Sequence, residues 1–180
     1  MSDVRFPLEW SPDWACTAEL FLQYAEVYKE AVEVLLNGLQ TRGLLHDYQP
    51  LPVLFLFRHY IELQLKGLIA YNDGTFENFH DLAVLLDKLK GLDPAVHLPY
   101  CSDMIPRLQK LDARSDGFRY PLSKDMKRFF QKTGDEEFYM MITTLSSMSK
   151  LITATIAELE NVEGYYDYLK DNPNDFSEAS

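Results

Sequence analysis

Residues 54–71, LFLFRHYIELQLKGLIAY, limit how this chain folds more than any other stretch. The run is long, apolar and free of proline, so it predicts a helix of about four to five turns. Pro50 and Pro52 precede it, where a fixed φ starts a helix. Asn72, Asp73 and Gly74 follow, residues that tolerate left-handed turns and end a helix. Leu54, Phe57, Ile61, Leu65 and Leu68 lie on one side of the wheel, and Leu56, Tyr60 and Leu63 on the other. A helix apolar round most of its circumference belongs at the centre of a bundle.

One polar row interrupts that pattern. Arg58, Glu62 and Lys66 repeat at i, i+4 and i+8, with His59 beside them. Side chains four apart stack along a helix, so Glu62 can pair with both neighbours. Two readings follow. The row is a charged ladder on the wet face of the helix, where such pairs contribute little. Alternatively it is a semi-buried cluster lining a cleft or a dimer seam, with partners from later parts of the chain.

The flanking segments are helical too. Ser11, Pro12 and Asp13 form a helix start, and the first helix is predicted over 12–39. Phe21, Tyr24, Tyr28, Ala31, Val32, Leu35 and Leu39 supply its three–four rhythm, and the stop falls at Gly38 or Gly43. His80, Asp81 and Leu82 open a short helix to about residue 89 with Leu82, Leu85, Leu86 and Leu89 facing inward, capped by Gly91. Asp93 and Pro94 read as another start, and 94–113 holds one or two short helices interrupted by Pro99 and Pro106. Residues 112–121, DARSDGFRYP, form a loop docked by Phe118 and Tyr120. A last helix runs from about 135, with a break at Gly164. Without repeats or strand pairs, the fold class is all-α, a bundle of about four to five main helices over 1–171, with a disordered acidic tail over 172–180.

Charge and composition narrow the function. A formal charge of −11 argues against generic nucleic-acid binding. The charge is uneven, though: residues 107–132 carry eight bases against three acids, a surface suited to phosphate or to an acidic partner, or simply a solvated connector. Cys16 and Cys101 follow no metal or redox spacing and read as reduced thiols in a cytoplasmic protein. No run reaches the length of a membrane span, so no membrane is expected. Gly-rich phosphate loops, G-x-S-x-G and H-E-x-x-H are absent, and the four histidines are scattered, so no metal and no cofactor is expected.

What remains is a spaced set: R-H-x-x-E-x-x-x-K at 58–66, H-D-L at 80–82, and Asp112 with Ser115, Phe118, Arg119, Tyr120 and Pro121. In these motifs the chain resembles the HEPN superfamily, small helical domains of prokaryotic toxin–antitoxin, defence and nucleotide-processing systems. It looks most like an uncharacterised bacterial branch with an L-F-L-x-R-H-x-x-E-L-x-L-K helix followed by H-D-L and F-R-Y-P. The likeness covers about residues 50–160.

The resemblance implies a helical bundle, often a homodimer, with a polar cleft that binds or acts on RNA or nucleotide, or engages a cognate partner protein. Many members are metal-independent endoribonucleases with an arginine and a histidine four to six residues apart. Here Arg42 and His46 have only three residues between them, and Arg58 and His59 none. An RNA-cleaving site would therefore draw on His59 or His80 as base and on Arg58 and Arg119 as cations. Glu62, Lys66, Asp112, Ser115 and Tyr120 complete the polar cluster. The alternative is a non-catalytic dimerisation or protein-interaction module in which the same residues form a structural ionic network.

Overall fold

The chain folds round its most apolar helix. In a computed structural model, which describes residues 14–42, 50–73, 78–113, 118–119 and 135–172, six helices follow in order. They are α1 (Trp14–Arg42), α2 (Pro50–Asp73), α3 (Leu82–Leu92), α4 (Pro99–Leu111), α5 (Glu136–Thr143) and α6 (Leu145–Asp171). The described residues contain no strand, and the class is all-α. Helix α2 packs against α1, α3, α5 and α6. Its Leu54, Phe57, Ile61, Leu65 and Leu68 are all buried, as the wheel requires of a central helix.

Helices α1 and α2 meet at Gly67. A Cβ at that position would lie 2.6 Å from Leu22 Cδ2 and 3.3 Å from the Leu22 amide nitrogen. Only glycine lets the two backbones approach this closely. Helix α3 is capped by Asp81, whose carboxylate accepts from the amides of Ala83 and Val84 at 2.9 and 3.1 Å. Helix α4 has proline at N1 and no side-chain cap of its own. Its first free amides, Tyr100 and Cys101, donate instead to Glu158 of α6 at 2.9 and 2.8 Å. One acid thus satisfies the start of α4 and ties it to α6.

Several expectations about punctuation are corrected. Gly38, Gly91 and Gly164 lie inside helices, each with open space where a Cβ would go, so none marks a stop. Pro106 sits within α4 on its exposed side, and 99–111 is one helix. Asp93 and Pro94 begin a turn, in which Asp93 accepts from the Ala95 amide at 2.9 Å. The last helix is two, separated at Thr144, whose φ of −99° and ψ of 119° are extended. Just before it, the Thr143 hydroxyl donates back to the Tyr139 carbonyl at 2.8 Å, a bond that competes with the helical ladder.

The phase of α1 also differs. Its buried face is Ala18, Ala25, Val32 and Leu36, while Tyr24 and Leu35, expected inside, are exposed. Ser115, Tyr120 and Pro121, and the expected tail from 173, lie outside the described residues.

A candidate acid–base site on helix α2

The row on α2 is not a wet ladder. Arg58 is 0% exposed, and Glu62 and Lys66 are each 5% exposed. A buried guanidinium needs acceptors, and the chain brings them from far along the sequence. Arg58 Nη2 donates to the His80 carbonyl at 2.9 Å and to Gln109 Oε1 at 3.1 Å. Its Nε donates to the Asp112 carbonyl at 3.2 Å, and Nη1 reaches Glu62 Oε2 at 3.4 Å. One side chain therefore joins α2 to the start of α3 and to the end of α4.

Glu62 is the hub. Its Oε1 accepts from Lys66 Nζ at 2.9 Å and lies 2.8 Å from His80 Nδ1. Burial works against the charged carboxyl, but the Lys66 and His80 hydrogen bonds and charges outweigh it and hold its pKa below the ordinary glutamate range. An ionised carboxylate only accepts, so Nδ1 of His80 carries the proton. In that tautomer of the uncharged ring, Nε2 is the nitrogen with the lone pair. The His80 side chain is 73% exposed, so that nitrogen can meet solvent or a ligand.

A second group of rings borders the hub. Phe55, His59, Glu62 and Lys66 follow at spacings of four, three and four along one face of α2. The Phe55 and His59 rings are parallel, within 2°, with centroids 6.4 Å apart. Tyr28 of α1 meets His59 edge-on at 4.5 Å. The Arg119 guanidinium stands 5.6 Å over Phe55. Burial lowers the His59 pKa; Glu62 opposes the shift, and Lys66, Arg58 and His80 add to it. Its ring is therefore neutral near pH 7.

The expected residues thus fall into two layers. Arg58, Lys66 and Glu62 are inside, and His80, Arg119 and half-buried His59 line the outside. Asp112 is buried and accepts from the Phe118 amide at 3.4 Å, which docks the turn carrying Arg119. Gln109 was not anticipated. It is buried, accepts from Arg58 and from the Leu82 amide at 3.0 Å, and donates to the Ala113 carbonyl at 3.1 Å. A signal was there: Gln109 follows Cys101 and Ile105 at four-residue spacing on the inner face of α4. Among the described residues, no three His, Cys, Asp or Glu side chains are grouped to hold an ion.

Comparisons with protein-family models, curated proteins and solved structures give no match. Among the described residues no helix is long and apolar enough to cross a membrane. The basic stretch 107–132 is only partly described, and Arg107 within it is engaged by protein, its Nε and Nη2 each donating to one Asp135 carboxylate oxygen at 2.8 Å.

Proposed function

We propose that the chain is an HEPN-like domain that binds RNA or a nucleotide at this site and acts on a phosphodiester, with His80 as the acid–base group. The Glu62–His80 pair carries the reading. A buried carboxylate fixes one ring nitrogen and turns the other outward, which gives a histidine one tautomer and one accepting nitrogen. Cleavage of RNA without a metal needs a base near the 2′-hydroxyl and positive charge at the phosphate. In this reading His80 Nε2 takes the 2′-hydroxyl proton as that oxygen attacks phosphorus, the bond from phosphorus to the 5′-oxygen breaks, water protonates the leaving oxygen, and Arg119 faces the phosphate. Phe55, His59 and Tyr28 offer rings to an unstacked base. Arg58 and Lys66, both buried, are positioning residues that hold the dyad and do not touch substrate. The same reading makes the chain a homodimer.

The test is cleavage of a labelled single-stranded RNA in the presence of a chelator. His80→Gln is expected to lower the rate about 10²–10⁴-fold with binding retained. His59→Gln is expected to weaken binding more than turnover. Equal rates for wild type and His80→Gln, or neither binding nor cleavage by wild type, remove the reading.

One observation favours a second reading, a non-catalytic dimerisation or protein-interaction module. The network is buried to a degree that suits packing specificity as well as chemistry. That reading expects Glu62→Ala to unfold the protein while no RNA or nucleotide binds wild type at all.

A further inference from the structure

Helix α1 has a second apolar face, turned away from the bundle. Leu20, Tyr24, Val27, Ala31, Val34 and Gly38 follow at spacings of four, three, four, three and four. That is the heptad spacing of a helix–helix seam, with Tyr24, Ala31 and Gly38 at one core position and Leu20, Val27 and Val34 at the other. The face opposite, Ala25, Val32 and Leu36, is the one the bundle buries. On the outer face Val27 is 63% and Val34 71% exposed, and a Cβ at Gly38 would meet nothing within 4 Å. At 1.5 Å per residue the stripe is about 27 Å long.

The order of sizes selects the occupant. We infer that this stripe is the contact surface for the same stripe of a second copy, packed antiparallel. Reversed against itself, the seam sets Leu20 opposite Gly38, Tyr24 opposite Val34 and Val27 opposite Ala31 of the second copy. Each larger side chain meets a smaller one, so no layer sets two of the largest or two of the smallest residues together. A parallel pair would set Gly38 on Gly38 and Tyr24 on Tyr24, leaving a gap at one end and a crowd at the other.

The flanks sort the same way. One edge of the stripe is Gln23, Glu30 and Asn37, and the other is Phe21, Tyr28 and Leu35. The antiparallel arrangement puts amide against amide and apolar side chain against apolar side chain. A parallel one puts amides against the apolar edge. Glu19, Glu26 and Glu33 lie further round the helix, clear of the seam. Only Glu30 meets its own copy, near the two-fold axis. This matters for a chain whose net charge is −11, because repulsion at the contact is then confined to one pair.

The inference rests on the homodimer part of the proposed function and not on its chemistry. It adds one consequence for the site. Tyr28, whose ring meets His59, is on the apolar flank beside the axis. The His59 ring that Tyr28 meets therefore lies next to that flank.

Light scattering on the full chain tests the surface. Wild type is expected at twice the monomer mass, and the Val27→Glu/Val34→Glu double variant at the monomer mass with unchanged helical circular dichroism. Glu30→Gln is expected to tighten the dimer. Orientation is read in a Cys16→Ser background from Leu20→Cys and Gly38→Cys chains. Oxidised together they are expected to cross-link to each other, and oxidised separately they are not. A dimer that survives the double variant overturns the seam alone, and cross-linking of each variant with itself overturns the antiparallel register. A monomeric wild type overturns both the seam and the homodimer, and leaves the His80 test untouched.

Discussion

Two neighbours on α2 show how differently buried polar groups behave. Glu62 serves three donors, Arg58, Lys66 and His80. Glu62→Ala would take the carboxylate away from two buried cations, and breaking such a cluster costs about 3–5 kcal/mol. Chemical denaturation should read that loss, and a variant as stable as wild type would show that the cluster relaxes into water. Tyr60 is the opposite case. It is buried, and among the described residues its hydroxyl has no hydrogen-bond partner. Removing an unsatisfied group relieves a desolvation penalty, so Tyr60→Phe should hold or raise the melting temperature. The polar row was legible because charges at four-residue spacing on an apolar helix demand partners. Gln109 was less so: its place on the inner face of α4 was readable from its spacing to Cys101 and Ile105, but a neutral amide next to Lys110 gives no sign of its acceptor role. Which of the two readings of the row held depended on burial, and no pattern of spacing reports burial.

At the scale of elements, α1 crosses α2 tightly at Gly67. Gly67→Ala drives a methyl into Leu22, and overpacking of this kind costs about 1–3 kcal/mol. The additional change Leu22→Ala should recover part of that loss against its own single variant, which a double-mutant cycle of melting curves would measure. Loss of the Asp81 cap of α3 is a milder change. Asp81→Ala should cost about 1 kcal/mol, read in the same way, and should also loosen His80 beside it. Existence and order of the helices were readable from the three–four rhythm of α3, α4 and α6. Boundaries were legible in part: α1 ends at Arg42 and α2 at Asp73 where turn residues predict a stop, whereas Gly38, Gly91, Gly164 and Pro106 are carried inside their helices. The phase of α1 was misjudged. With apolar residues on two faces, periodicity alone does not say which face is inside, and the small residues Ala18 and Ala25 made the buried one look weak.

For the whole molecule, acidification acts through groups of opposite sign. The folded pKa of His59 is lowered, so the folded state resists a proton that the unfolded chain accepts. Its contribution is complete above the ordinary histidine value of about 6.5 and is lost as pH falls below it. The folded pKa of Glu62 is also lowered, so its contribution is present above the ordinary glutamate value of about 4.3 and disappears as pH falls through the folded value. Glu163, half-buried beside Gln64, runs the other way: burial raises its pKa, and protonation there relieves a penalty. Stability of wild type minus that of His59→Gln, followed from pH 8 to 5, should therefore shrink on acidification. A flat difference would mean that the His59 ring is better hydrated than its packing against Tyr28 and Phe55 implies.

The grip on Arg58 also bears on how the protein is made. Three of its four acceptors belong to residues 80, 109 and 112. A ribosome delivers the cation first and those oxygens later. Until α4 has emerged, α2 holds a guanidinium that its own turn matches only through Glu62, and the helix stays at the water interface. Closure of the interior is thus timed by synthesis of the chain's second half, and a fragment ending before residue 80 lacks the atoms needed to shut it.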